Sequence, residues 1–548
     1  MNPLKRFYRL SQSFKAEIGQ LYFYAVLNGL VGLTLPLGMQ AIIQFLMAGQ
    51  ISTSIVILVM MVVVGLLISG WMQILQLTVS EHIQQQLFAR GAFDITHRIP
   101  RIRLEKLAGQ HLPELMNRFF DVVGIQKGLS KVLIDFTAAS LQVVLGLILL
   151  SIYHPFFIAF SLLLVALLYI LFRTTSPLGM KTSLLESKYK YRVAQWLEEM
   201  ANSKTTFKLA SSSNLPYERM DYEVDHYLEA RMKHFKLLKT QYWSMVALKV
   251  IIALSMLVLG SFLVTQEQLN LGQFVAAEII IVLVINAVEK ILLNMDTIYD
   301  LLTSIEKVGY ISELELESED GKLVPSTGHG EPVNVHLEGV GFKYEQRNEM
   351  VLENIHLVVN AGEKISISGT TGSGKSTLLR LLSGIYQTDH GAITLNGLAM
   401  RSIDSHTLHS WIGQCLHAET IFQGTVLENI DLGRNIPLKK LQEVALAVGL
   451  MPFLEKQKFG LETVLYSEGA PLSRQATQRI LLARCIAGNP GLVVYEDIFS
   501  ELTQDEKKPL YDLLLNGPWT LIAVTNDAMF TDRCKQKYLL KEGKIQTI

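Results

Sequence analysis

Six apolar stretches, at residues 20–46, 54–79, 132–152, 156–173, 243–264 and 272–293, constrain this chain more than any other feature of its sequence. A helix needs about 20 mostly apolar residues to cross roughly 30 Å of hydrocarbon, where backbone polar groups must be satisfied internally. Each stretch therefore predicts a membrane-spanning helix, and the chain beyond 293 contains no comparable run. The composition agrees: 49% of the 548 residues are hydrophobic and 18% charged, so part of the chain belongs in lipid. A formal net charge of −1 supplies no overall field for a nucleic acid or other polyanion, and no nucleic-acid partner is expected. Cys415, Cys485 and Cys534 lack metal-ligand spacing and read as reduced cytosolic thiols.

The connections between the spans predict orientation. MAGQISTS, Tyr153-His154-Pro155 and TQEQLNLGQ, which join spans one to two, three to four and five to six, carry no Lys or Arg. The other two connections, 80–131 and 174–242, are rich in bases, among them Arg90, Arg98, Arg101, Lys181, Lys188 and Arg192. The positive-inside rule then puts both termini in the cytoplasm. The N-terminal segment, with Lys5, Arg6, Arg9 and Lys15, lacks a cleavage pattern, so the first span is expected to remain as an anchor. Both basic connections have few breakers and contain amphipathic stretches such as YRVAQWLEEMANSKTTFKLA, which predict helices continuing well beyond the bilayer. Glu278 stands out inside FVAAEIIIVLVINAVEK, because a carboxyl in hydrocarbon is costly unless it faces protein or water. Its two readings are a path-lining group and a paired structural carboxyl. Gln40, Gln44, Gln142 and Lys249 are further polar residues within the spans.

The pattern changes after residue 310: the membrane part is read as 1–310, a Gly/Pro-bearing linker as 311–332, and a second domain as 333–548. In that domain short strand-like runs alternate with helices, which predicts an α/β fold. Its decisive feature is ISISGTTGSGKSTLLRLLSG, an apolar strand leading through Gly369, Thr370, Thr371, Gly372, Ser373, Gly374, Lys375, Ser376 and Thr377 into an amphipathic helix. This is a Walker A loop in its required strand–loop–helix context. Its glycines let the backbone wrap phosphates, Lys375 reaches the β/γ-phosphates of ATP, and Ser376 offers a hydroxyl to Mg²⁺. ATP and Mg²⁺ are the expected cofactors.

Taken together, six spans with short outer loops, long inner helices and this loop resemble the ATP-binding cassette (ABC) exporters. The resemblance implies an all-α six-helix transmembrane domain plus an α/β P-loop NTPase domain. It also implies coupling segments near 107–115 and 203–214, where such membrane domains dock on nucleotide-binding domains. The alternative is an ordinary six-span bundle with a separate cytosolic insertion. In GFKYEQ the resemblance assigns Tyr344 to stack on adenine, against a reading as a core tyrosine, and IFQGTVLENI resembles the segment that follows the family's Q-loop.

Other motifs depart from the family pattern. In WIGQCLHAETIF, His417 stands where the family has a glutamine near Mg²⁺. In APLSRQATQRILLAR, Leu472 and Ser473 match the signature, while Arg474, Gln475 and Ala476 replace Gly-Gly-Gln and crowd the approach to a partner's γ-phosphate. The Walker B strand ends in Glu496-Asp497, the reverse of the family's Asp-Glu. Glu496 can still hold Mg²⁺, but Asp497, the candidate base, is one methylene short. A misplacement of about 1 Å can cost on the order of 10²-fold in rate. Thr503 replaces the D-loop aspartate, and Asn526 replaces the switch histidine and cannot carry its charge.

These losses fall on motifs used in cis and on the signature lent to a partner, so pairing cannot restore an ordinary site. The expectation is a dimer, a homodimer in preference to a heterodimer with another ABC half, with impaired or specialised ATP hydrolysis. The resemblance is closest to bacterial type I secretion and peptide exporters without their peptidase-like domain. It implies an inner-membrane location, with a periplasmic adaptor and an outer-membrane duct as partners beside the lipid bilayer. A lipid flippase would share the architecture. The second class of reading is a membrane regulator that binds ATP and barely hydrolyses it.

Overall fold

A computed structural model describes residues 3–47, 53–107, 112–210, 212–317, 330–344, 349–466 and 472–548. Outside the described residues lie 48–52 of the first outer loop, 108–111 and 211 of the expected coupling segments, and 318–329 of the linker. Glu345 and Gln346 of GFKYEQ, and Ala470 and Pro471 before the signature, also lie outside them. The chain forms two compact units: Met1–Pro100 with His111–Leu314, and Arg101–Gln110 with Glu315–Ile548.

Among the described residues the chain has six long apolar helices: Lys15–Met47, Thr53–Arg101, Leu115–Tyr153, Pro155–Asn202, Leu215–Thr265 and Leu271–Ser312. Every expected span lies inside one of them. The fifth has 51 residues, about 75 Å at 1.5 Å per residue, so it extends well past a bilayer. Local chemistry sets the tight turns. His154 caps the fourth helix by accepting the Phe156 N–H on Nδ1 at 3.2 Å, with Pro155 at the first helical position. Asn270 and Gln273 form a capping box that starts the sixth, at 2.7 and 3.0 Å. The sixth helix is the most buried and packs on the first, third and fifth. Large apolar side chains such as Ile57, Leu67, Leu163 and Leu254 stay exposed, as a lipid-facing surface requires. In the 203–214 segment a short helix, Lys204–Leu209, packs Phe207 edge-on against Trp196.

In the second unit, β1 (Val335–Phe342), β2 (Leu352–Val359), β3 (Lys364–Ser368), β4 (His390–Leu395) and β5 (Leu398–Ala399) are followed by β6 (Ile412–Cys415), β7 (Gly424–Thr425) and β8 (Val464–Leu465). The last strands are β9 (Leu492–Glu496), β10 (Thr520–Val524), β11 (Gln536–Lys541) and β12 (Lys544–Thr547). The main sheet runs β12-β11-β3-β10-β9-β6 and is parallel except for the β11–β12 hairpin. Helices cover both faces, so the side chains of β10 are all buried and those of β9 are buried up to Glu496 at its end. A second antiparallel sheet runs β2-β1-β4-β5. Residues 101–103 join this unit through main-chain pairing: Arg103 N–H donates to Glu315 O at 3.1 Å, and Glu317 N–H to Arg101 O at 2.7 Å.

Candidate functional site

The loop between β3 and the helix Lys375–Leu382 is shaped by its glycines. Gly374 has φ 103°, and a Cβ there would lie 2.8 Å from Leu352 Cδ2 and 3.0 Å from Val351 O. Gly372, at φ 84°, faces open space, as a backbone that wraps a ligand must. Lys375 Nζ folds over the loop and donates to Gly369 O at 2.8 Å and Thr370 O at 2.6 Å. Burial lowers its pKa, an effect opposed by the Glu496 charge. Thr371 and Ser373 lie in the same turn, with Ser373 buried.

Three distant segments converge on this loop. Glu496, at the end of β9, accepts the Ser376 hydroxyl on Oε1 at 2.7 Å and the His417 backbone N–H on Oε2 at 3.1 Å. His417 thus meets the site through its main chain, with its side chain exposed. Asn526, after β10, accepts the Gly369 N–H on Oδ1 at 3.3 Å. Ser376 and Glu496 form a pair of hard oxygen donors, the chemistry Mg²⁺ prefers. Tyr344 is half-buried: its hydroxyl lies 3.0 Å from Thr377 Oγ1, and its ring meets Phe342 and Tyr386 edge-on.

Asp497 is held quite differently from its neighbour Glu496. Its oxygens accept from Thr525 Oγ1 at 2.8 Å, Tyr495 OH at 3.1 Å and the Phe499 N–H at 3.1 Å; the Tyr511 hydroxyl lies 3.4 Å away and is closer to Asp527 Oδ2, at 3.1 Å. Burial, reinforced by the Asp497 charge, raises the pKa of both tyrosines and keeps them donors. Neither Tyr511 nor Thr525 belongs to a motif, so no sequence signal marked this network. Thr503 is the N-cap of Gln504–Asn516, in a capping box with Glu506. Ser473 caps Arg474–Ala487, accepting the Ala476 N–H at 3.2 Å. The next two residues are tied to acids beyond the Walker B strand: Arg474 to Glu501, and Gln475 to Glu506 at 3.3 Å.

Six apolar helices joined to an α/β domain with this phosphate loop define a membrane protein built to bind nucleotide. Sequence comparison identifies the ABC transporter transmembrane region at 20–288 and the ABC transporter domain at 352–499; the chain belongs to the ABC transporters. It is 25% identical over 436 residues to the lactococcin-A transport/processing ATP-binding protein of Lactococcus lactis subsp. lactis, covering 79% of this chain and 60% of that one. It is 26% identical over 250 residues to the alpha-hemolysin translocation ATP-binding protein of Proteus vulgaris, covering 45% and 35%. The chain therefore spans 60% or less of the length of these two relatives. A bacterial Atm1-family ABC exporter with ATP bound has the same fold, with a TM-score of 0.85 and 18% identity over 97% of this chain and 94% of that one.

Proposed function

We propose that the chain is half of an ATP-driven exporter of a peptide or protein, that two copies form the working unit, and that the unit hydrolyses ATP slowly. The cargo class is supported by the relatives named for lactococcin and hemolysin. A bacterial inner-membrane location, with termini and ATP-binding domain in the cytoplasm, is supported by the basic connections. The exporter resemblance supports an adaptor and an outer-membrane duct as further partners.

The observation that carries the kinetic claim is the opposed orientation of Glu496 and Asp497. Lys375, the loop amides and Asn526 would hold phosphate, and Ser376 and Glu496, which lie against each other, would hold Mg²⁺, which would offset charge developing on the transferred phosphoryl group. Asp497 accepts from three donors, Thr525, Tyr495 and the Phe499 amide, which engage it as a structural acceptor. Glu278, exposed on the sixth span of the single chain, lines the translocation path in this reading. Loss of transport in Glu278→Gln with ATP binding retained supports that role, and unchanged transport removes it.

Steady-state ATP hydrolysis in lipid, compared with Lys375→Ala and Asp497→Asn, tests the proposal. Slow turnover abolished by Lys375→Ala is expected. Binding without turnover above that background points instead to a membrane regulator using ATP as a conformational ligand.

A further inference from the structure

Asn526 meets the phosphate loop from the segment that follows β10, and it is exposed, whereas Thr525 before it is only 4% accessible. Its Oδ1 accepts the Gly369 N–H, which fixes the orientation of the amide, and its Nδ2 has no partner among the described residues. Gly369 O also receives Lys375 Nζ, so this N–H₂ group stands at the end of the loop where the β- and γ-phosphates belong. An amide held by its oxygen presents its donor end to an anion.

The residues on either side of Asn526 are anchored. The Thr525 hydroxyl donates to Asp497 Oδ2 at 2.8 Å and accepts the Asp527 N–H at 3.0 Å, so one oxygen closes the turn around Asn526 and ties it to the Walker B strand. The Thr525 N–H donates to Ile367 O of β3 at 3.2 Å, and the Asp497 N–H to Val524 O at 3.0 Å. Beyond Asn526, Asp527 Oδ2 accepts Lys507 Nζ at 2.9 Å and Tyr511 OH at 3.1 Å, while Oδ1 accepts the Met529 N–H at 3.0 Å. Lys507 and Tyr511 lie one turn apart on the helix Gln504–Asn516. The Lys507 and Asp527 side chains are 12% and 21% exposed, so solvent screens the pair less than a surface pair. An exposed asparagine has ordinary rotamer freedom; fixing its backbone from both sides limits where the amide can go, and small displacements of a positioned group are costly.

We propose that Thr525 and the Lys507–Asp527 pair are positioning residues for the γ-phosphate, acting through Asn526, so that they favour ATP over ADP. The assignment rests on the reading of the loop as a nucleotide site and needs neither a cargo nor a fast hydrolytic step. Contacts of this kind stabilise any turn, and the experiment therefore reads nucleotide discrimination instead of stability.

The test is equilibrium binding of a non-hydrolysable ATP analogue and of ADP, each with Mg²⁺, to the full chain in detergent. Thr525→Val keeps the β-branched shape and should weaken analogue binding about tenfold but ADP binding less than about twofold, and Thr525→Ser should restore the analogue. Lys507→Met, away from the phosphate loop, should cost the analogue about threefold. In an Asn526→Ala background Thr525→Val should have no further effect, because a residue that acts through Asn526 has nothing left to position. Equal losses for the two nucleotides, losses that add to that of Asn526→Ala, or full analogue affinity in both Thr525→Val and Lys507→Met overturn the assignment alone. Failure of the unaltered chain to bind either nucleotide overturns the nucleotide reading itself, and this assignment with it.

Discussion

Glu496 and Asp497 are adjacent acids at the end of one buried strand, yet they belong to different parts of the molecule. Glu496 faces the phosphate loop and meets Ser376 and His417; Asp497 is held by Tyr495, Thr525 and the Phe499 amide. Strand geometry accounts for part of this, since consecutive side chains point to opposite faces. The rest is chemistry, because a carboxylate ringed by donors is held by them. In the proposed reading, the side chains expected to hold nucleotide are brought together, whereas Asp497, at the expected general-base position, is a structural acceptor.

Four variants test that contrast. Lys375→Ala should weaken ATP binding on the order of 100-fold in an equilibrium titration, since charge-assisted contacts to phosphate are lost. Asp497→Asn should lower the stability of the ATP-binding domain by about 2–3 kcal/mol, because an amide N–H₂ then faces hydroxyl donors. Denaturant unfolding checks this; unchanged stability with abolished turnover would restore Asp497 as a base. Glu419 comes next. Burial pushes its carboxyl up to about 7, against the opposing pull of Arg484, and its Oε1 accepts the Leu416 N–H at 3.3 Å. A carboxyl whose folded pKa is raised contributes stability that is complete below its unfolded value near 4.5 and is lost as pH rises through about 7. Glu419→Gln should therefore flatten the pH dependence of melting across that window and stabilise the protein at pH 8 by about 2 kcal/mol. The smallest stability change, under about 1 kcal/mol, is expected for Arg474→Gly with Gln475→Gly, because the Arg474–Glu501 pair is exposed. Its ATP turnover should rise about tenfold if side-chain crowding limits the signature, and an unchanged rate would leave Asp497 as the limiting residue.

Much of this was legible from residues alone. The spans follow from hydropathy, a property of each segment, and the six helices contain all six predicted stretches. The phosphate loop follows from a contiguous motif whose glycines have local backbone reasons. The assignments of Thr503 and Ser473 to motif positions could be read too, but their use as helix caps could not. Nor does hydropathy reveal that residues 101–103 pair with 315–317 inside the second unit.

That the chain is an ABC transporter with six spans and a phosphate loop follows from residues alone, because those features are written in consecutive positions. Which groups the acids meet depends on the folded chain. Ser376 and Glu496 are 120 positions apart, Gly369 and Asn526 are 157 apart, and Asp497 and Thr525 are 28 apart. Each contact exists because parallel strands β3, β9 and β10 bring their C-terminal ends to one edge of the sheet, an arrangement that no local stretch of sequence encodes.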